Sequence, residues 1–79
     1  MDMTYQVDKV VDAKGQVCPM PIVSLAKGFK DLAAGQILAL IATDPGAKKD
    51  VTAWAEKTGA VLLETVEEGG VMTFYLKKA

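Results

Sequence analysis

Apolar residues fall into six segments along the chain, and the order of these segments constrains the fold more than any other feature of the sequence. Four segments have the length of a β-strand, and two have the period of an amphipathic α-helix. The order is strand, helix, strand, helix, strand, strand. Because crossover connections are right-handed, both helices should cover one face of a four-stranded mixed sheet. The sequence therefore predicts an α/β fold, a two-layer sandwich.

Turn residues and periodicity set the predicted limits of each segment. The strands are predicted at residues 5–12, 36–43, 60–67 and 71–78, and the first helix at residues 19–34. Gly35 and Gly59 are expected to close the two helices. Asp44 is expected to be the N-cap of the second helix, with Pro45 as its first residue. Gly69-Gly70 predicts a tight hairpin turn between the last two strands. Gly28 lies inside the first helix at a cost in stability, which predicts a close approach to another element.

Length and composition exclude several classes of protein. The 79 residues are expected to form one domain, residues 1–79. One cysteine and no histidine exclude a disulfide framework and a zinc site, so neither a metal nor a cofactor is expected. A net charge of −1 gives no drive toward nucleic acid. With no signal peptide and no apolar run near the roughly 20 residues that span a bilayer, we expect a cytoplasmic protein without membrane contact.

The cysteine lies in a run that predicts the start of a helix. Cys18 is followed by Pro19, Met20 and Pro21. A helix tolerates proline only in its first turn, so Cys18 is expected at the N-cap or directly beside it. The helix dipole and unpaired amides there would stabilise a thiolate and lower the pKa of the thiol from its free value of about 8.5. Cys18 is therefore the candidate catalytic residue, although a lone cysteine is more often a buried apolar side chain.

The sequence around this cysteine resembles the signature of the TusA (SirA-like) sulfur-carrier family. The matching residues are Asp12, Gly15, Cys18, Pro19, Pro21, Ile22 and Val23, and a second motif comprises Asp44-Pro45 and Lys49-Asp50. The resemblance extends over almost the whole chain, including its length and the order of its segments. It implies the same two-layer α/β fold that the apolar pattern predicts.

The resemblance also implies a function. Cys18 would accept sulfane sulfur as a persulfide and pass it on, as a sulfurtransferase-type carrier and not as a stand-alone catalyst. The implied partners of this monomer are a sulfur-donor protein of the desulfurase or rhodanese type and a thiol acceptor protein. Asp12, Gly15, Pro19, Met20 and Pro21 would support the motif or bind partners.

The type of sulfur relay is less closely constrained. The resemblance implies sulfur oxidation or tRNA thiolation. Met20 stands where the best-known tRNA-thiolation member has an acidic residue, and the predicted second helix has no cysteine. These differences favour sulfur oxidation or other sulfur trafficking.

Two other functions are compatible with a small α/β domain. A redox-sensing or regulatory protein-binding module would also use an exposed cysteine of low pKa, but such sensors often have a resolving cysteine, which this chain lacks. Direct RNA binding is disfavoured by the near-neutral charge and by the presence of only five aromatic residues. The carrier function is therefore the preferred hypothesis.

Overall fold

A computed structural model describes residues 7–16 and 20–78 of the chain. The elements are β1 (Lys9–Ala13), α1 (Met20–Lys30), β2 (Ile37–Ala42), α2 (Ala47–Thr58), β3 (Val61–Glu68) and β4 (Val71–Lys77). The strands form one sheet in the order β1-β2-β4-β3. β1 and β2 are parallel, and the other neighbouring pairs are antiparallel. The predicted order of elements and the mixed four-stranded sheet are confirmed.

The core lies between the sheet and the two helices. Alternate residues of the central strands β2 and β4 are almost completely buried: Leu38, Leu40, Ala42, Met72, Phe74 and Leu76. Leu25 and Phe29 of α1, with Val51 and Ala55 of α2, pack into the same cluster. Because alternate residues of a strand point to the same side, both helices cover one face of the sheet. This confirms the two-layer sandwich and leaves the opposite face open.

Gly28 allows α1 to lie close to the sheet. A Cβ atom at this position would lie 2.7 Å from Cγ2 of Val11 and 3.2 Å from Cδ1 of Leu38. The first distance is shorter than carbon atoms tolerate, so a larger residue would require the Val11 side chain or the helix to shift. The predicted close approach is confirmed, and its partners are β1 and β2.

Helix α1 is shorter than the periodicity predicts. It ends at Lys30, because the amides of Asp31 and Leu32 donate to carbonyl oxygens three residues earlier, at 3.2 and 3.1 Å. Such bonds tighten and finish a helix. The predicted closure at Gly35 is wrong: this residue has a φ of 89° but belongs to the turn that leads into β2.

A lysine from the end of β4 caps the end of α1. Nζ of Lys78 donates to the carbonyl oxygens of Phe29 and Leu32, at 3.3 and 2.8 Å. The same nitrogen lies 5.7 Å from the centre of the Phe29 ring. A cation at this end of a helix satisfies free carbonyls and complements the helix dipole. This contact comes from a distant part of the sequence, which explains why the local pattern overestimates the length of α1.

Helix α2 begins later than predicted. Asp44 is not the N-cap, and Pro45 is not the first helical residue, because the helix starts at Ala47 with Gly46 as its N-cap. The amide of Ala47 donates to the carbonyl oxygen of Asp44 at 3.0 Å. Gly46 has φ −81° and ψ −6°, which are the angles of the third residue in a type I turn. Pro45 therefore occupies the second position of a turn that precedes the helix.

The glycines that end α2 and join the last two strands adopt the predicted conformations. Gly59 has a φ of 80°, and its amide donates to the carbonyl oxygen of Ala55. Gly69 and Gly70 have φ angles of 59° and 81°, as a two-residue hairpin turn requires. The predicted C-terminus of α2 and the predicted hairpin are confirmed.

Two predictions in the periphery of the fold need adjustment. β1 begins at Lys9 and includes Ala13, and not all of the predicted first strand can be compared, since residues 5 and 6 lie outside the described residues. Trp54, which the helical period of the sequence predicts on the inward face of the second helix and in the core, is only half-buried. Its ring packs edge-to-face against Phe29, with 5.0 Å between ring centres, at the margin of the core. Within the described residues, neither helix is long and apolar enough to cross a membrane.

Candidate functional site

The two connections from strand to helix leave the sheet at the same edge. β1 and β2 run parallel, and their last paired residues are Ala13 and Ala42. The loop toward α1 and the loop toward α2 therefore start side by side. Ligand and catalytic sites of open α/β sheets are usually built at the carboxyl ends of parallel strands. Asp12 and Gly15, the first residues of the predicted motif, lie at this edge of the sheet.

A tight turn follows β1. Oδ1 of Asp12 accepts a hydrogen bond from the amide of Lys14 at 3.0 Å, and the amide of Gln16 donates to the carbonyl oxygen of Ala13 at 3.2 Å. Between them, Gly15 has a φ of 81°, a conformation that side chains with a Cβ disfavour. Asp12 and Gly15 thus shape the turn, the first through its carboxylate and the second through its backbone.

Two side-chain hydrogen bonds tie this turn to the rest of the fold. The amide of Gly15 donates to Oγ1 of Thr43, directly after β2, at 3.0 Å. Oγ of Ser24, in the second turn of α1, donates to Oε1 of Gln16 at 3.0 Å. The chain that enters the motif is therefore attached both to the neighbouring strand end and to the helix that follows.

Cys18 and Pro19 lie outside the described residues. The sequence prediction that Cys18 is at the N-cap therefore stays a prediction. In the chain, Cys18 lies between Gln16, the last described residue of the turn, and Met20, the first residue of α1. The nearest described residues, Gln16 and Met20, are each two positions away from the cysteine in the chain.

The two described residues of the motif in α1 have opposite environments. Pro21 is fully buried, whereas Met20 is 46% exposed. Pro21 belongs to the packing that holds the helix start against the sheet. Met20 offers a flexible apolar side chain to solvent, and Val23, 38% exposed in the next turn, extends this apolar surface. Exposed apolar side chains of this kind are suited to contact another protein.

The turn after β1 has one basic and one acidic side chain close to it, Lys14 and Asp12, whose charges offset each other. Nζ of Lys14 lies 3.9 Å from Oδ2 of Asp12, and both side chains are largely exposed. A weak surface pair of this kind is screened by water, and it turns the lysine toward a carboxylate. Among the residues that the structure describes, no group of histidine, cysteine and acidic side chains is arranged to hold a metal ion.

The structure thus assembles some predicted residues and adds others. Gly15 lies in the turn, Asp12 bonds to the turn from the end of β1, and Met20 and Pro21 lie in the first turn of the helix after it. Sequence analysis missed three polar residues that join these parts: Gln16, Ser24 and Thr43. A hydroxyl at the last position of a predicted parallel strand is a signal that could have identified Thr43, because the loop after the neighbouring parallel strand starts at the same edge of the sheet.

Comparison with known proteins identifies the family. The family model described as "Sulfurtransferase TusA" matches residues 9–78. "Putative sulfur carrier protein YrkI" of Bacillus subtilis (strain 168) is 52% identical over 71 residues, which cover 90% of this chain and 95% of that protein. "Sulfur carrier protein TusA" of Allochromatium vinosum is 46% identical over 72 residues, which cover 91% of this chain and 95% of that protein.

A solved structure has the same architecture. The crystal structure of the SirA-like protein from Desulfitobacterium hafniense superposes with a TM-score of 0.78 at 25% sequence identity. The superposition covers 87% of this chain and 95% of that one. The sequence matches and the shared fold agree with the motif at Cys18 and its neighbours. The chain therefore belongs to the TusA family of sulfur-carrier proteins.

Proposed function

We propose that this protein carries sulfane sulfur as a persulfide on Cys18 and transfers it from a donor protein to an acceptor protein. The observation that carries the proposal is the family match over residues 9–78, which includes the run Cys18-Pro19-Met20-Pro21. The start of α1 at Met20 supports it, because the amides and the dipole of a helix N-terminus stabilise a nearby thiolate.

Loading and unloading are two thiol-exchange steps of the same kind. The thiolate of Cys18 attacks the outer sulfur of a donor persulfide, forms a new S–S bond, and releases the donor thiolate. A thiolate of the acceptor then attacks the outer sulfur of the Cys18 persulfide, and Cys18 leaves as a thiolate. Each step makes one S–S bond and breaks one, so the cycle needs no added oxidant or reductant.

This chemistry is compatible with the residues the chain has. Attack and departure at the same sulfur are both efficient when the thiol pKa lies near ambient pH. No histidine base is needed, and the chain contains none, because no water is activated and no C–S bond is cleaved. The protein then acts as a sulfurtransferase-type carrier and not as a stand-alone catalyst, because the donor persulfide and the acceptor thiolate are supplied by its partners.

The proposed partners are a donor of the desulfurase or rhodanese type and an acceptor with a reactive thiol. Met20 and Val23 are the apolar groups on α1 that a partner would contact while it reaches Cys18, since both side chains are exposed. We propose that residues 1–79 act as one domain and as a monomer in the cytoplasm, in sulfur oxidation or a related relay. Neither a nucleic acid nor a membrane takes part.

Intact-mass spectrometry after incubation with inorganic polysulfide tests the proposal. The wild-type chain should gain one sulfur atom that dithiothreitol removes, and Cys18→Ser should gain none. Absence of sulfur uptake by the wild type would contradict the carrier function. If peroxide then converted Cys18 to a sulfenate while no donor gave a persulfide, the redox-sensing alternative would replace it.

A further inference from the structure

We propose that the open face of the sheet, opposite α1 and α2, is a docking surface for a basic amphipathic helix of a partner protein. Alternate residues of a strand share a face, and directly paired residues of neighbouring strands point to the same side. One row across the open face therefore consists of Val10, Ala39, Tyr75 and Glu64. The inference goes beyond the proposed function, because it does not involve the cysteine.

The centre of the open face is apolar. The outward residues of the central strands β2 and β4 carry no charge up to the last residue of β4: Ile37, Ala39, Ile41, Val71, Thr73 and Tyr75. All of these except Ala39 are partly exposed. The edge strands add Val10, 59% exposed, and Val66, 37% exposed. Because the solvated face of a sheet usually carries polar residues, this apolar centre indicates a surface that another protein covers.

Carboxylates flank the apolar centre on both sides. Asp12 lies on the edge strand β1, whereas Glu64 and Glu68 lie on the opposite edge strand β3, all on the open face. The edge strands are three strand spacings apart, or about 14 Å, and an α-helix with its side chains is about 10 to 12 Å wide. A helix that lies along β2 and β4 therefore fits between the carboxylates, and lysine or arginine side chains on its two flanks would reach them.

The charges of the open face favour this partner over other occupants. Its charged strand residues are three acids and Lys77. The pair of Asp12 with Lys14, at 3.9 Å, is weak enough to be exchanged for a cation of a partner. An acidic surface repels nucleic acid and anionic lipid. A second copy of the chain would bring like charges together, which costs binding energy.

Two matched pairs of substitutions separate the open face from the rest of the surface. Glu68 lies on the open face, whereas its neighbour Glu67 pairs with Met72, which is buried on the helix side. Both glutamates are exposed, so Glu68→Lys and Glu67→Lys change the net charge equally, but only Glu68→Lys changes the open face. Val66→Thr, on the open face, is matched by Val23→Thr on α1, because the two valines are 37% and 38% exposed.

The probe is a synthetic helical peptide with a leucine stripe flanked by lysines, and the reference peptide has glutamate in place of each lysine. A peptide of about 16 residues is as long as β4. Calorimetry on the full chain measures the affinity, and amide chemical shifts locate the contact. Glu68→Lys replaces an attraction by a repulsion and should weaken binding about fivefold. Val66→Thr should weaken it about fourfold, the contribution of one buried methyl group.

We expect the lysine peptide to shift the amides of β2 and β4, the glutamate peptide not to bind, and Glu67→Lys and Val23→Thr to bind like the wild type. Thermal unfolding of each variant checks that the fold is retained. Shifts confined to the helix side, binding of both peptides, no binding of the lysine peptide, or equal losses in Glu67→Lys and Glu68→Lys would overturn the proposal.

Two further measurements test other occupants of the open face. Dimers of the chain in sedimentation that Glu68→Lys alters would show that a second copy covers this face, and would overturn the proposal. Binding to phosphatidylglycerol vesicles that Val66→Thr weakens would overturn it in favour of a membrane. None of these measurements requires sulfur uptake, so a chain that took up no sulfur from polysulfide would refute the proposed function and leave this test intact.

Discussion

The two connections that leave the parallel strands start at the same edge, yet they are built differently. The β2–α2 connection is a type I turn, closed by a hydrogen bond between Asp44 and Ala47 within the turn itself. The β1–α1 connection is longer and is tied by Thr43 and Ser24, which come from outside it. The β2–α2 turn is closed by a bond of its own backbone, whereas the described part of the β1–α1 connection is also bonded to side chains from outside it.

This difference shows how the same residue types serve two purposes. An aspartate, a glycine and a proline occur at both places: Asp44, Pro45 and Gly46 in the β2–α2 connection, and Gly15 in the β1–α1 connection with Asp12 and Pro21 in the elements on either side of it. In the β2–α2 connection these residues form a type I turn, for which proline at the second position and aspartate at the first are favoured. In the β1–α1 connection they meet stricter requirements, because the backbone is left-handed at Gly15 and the ring of Pro21 is buried. Matched substitutions at the three pairs can therefore break or sharpen the comparison.

The prolines should give the largest difference. Pro21→Ala removes a fully buried ring from the start of α1, and should lower the free energy of unfolding by about 2 kcal/mol. Pro45→Ala affects an exposed turn residue and should cost less than about 1 kcal/mol, through the added freedom of the unfolded chain. Urea denaturation of both variants measures the two values. Equal losses would show that the helix start is not packed as described.

The glycines should give an intermediate difference. Gly15→Ala places a Cβ on a residue with a φ of 81° and should cost about 1 to 2 kcal/mol. Gly46 has a right-handed backbone conformation, which alanine also adopts. The added Cβ of Gly46→Ala would lie 3.3 Å from the Asp44 carboxylate. That change should stay within about 0.5 kcal/mol of the wild type. Urea denaturation of both variants measures the two free energies of unfolding. An unchanged stability of Gly15→Ala would contradict the left-handed backbone at Gly15.

The aspartates should give the smallest difference. Asp12→Ala removes the carboxylate that accepts the Lys14 amide at 3.0 Å, and should cost about 0.5 to 1 kcal/mol. Asp44 contributes to its turn through its carbonyl oxygen, so Asp44→Ala retains that bond and should change stability by less than about 0.5 kcal/mol. Thermal unfolding of Asp12→Ala and Asp44→Ala measures the two changes in stability. A larger loss in Asp44→Ala would show that its side chain has a structural role.

The sequence predicted the fold where the information is local. Alternation and helical period gave the order of the elements, and Gly59 and Gly69-Gly70 marked the end of α2 and the hairpin, because a left-handed backbone selects glycine. The predicted end of α1 was wrong, since it depends on Lys78, which lies far away in the chain. The predicted start of α2 was wrong because Asp-Pro suits both a helix cap and a turn.

The open face of the sheet shows another limit of local patterns. The apolar run of β2 is typical of a strand covered on both sides, yet the helices cover only one face. Ile37 and Ile41 are half-buried on the other face, and Val10 of the neighbouring edge strand is 59% exposed. Composition and periodicity indicate how apolar a strand is, but the layer that covers each face depends on the whole topology.

The candidate site was predictable in part. The positions of two prolines after Cys18 predicted a helix start there, and the helix begins at Met20. Thr43 and Ser24 were not predicted, because their roles arise from the side-by-side exit of two parallel strands and from the spacing of a helical turn across the loop. Such hydrogen bonds join residues that are far apart in the sequence, so a local sequence pattern does not reveal them.

The most direct test of the central claim is to locate the sulfur after loading. Trypsin cuts after Lys14 and Lys27, so the peptide of residues 15–27 contains Cys18, the single cysteine of the chain. After incubation with polysulfide and then alkylation, tandem mass spectrometry should show this peptide with one additional sulfur on Cys18, and the addition should be absent when a thiol acceptor is supplied before the alkylation. A peptide without added sulfur, or a sulfur that an acceptor thiol cannot remove, would contradict the carrier mechanism.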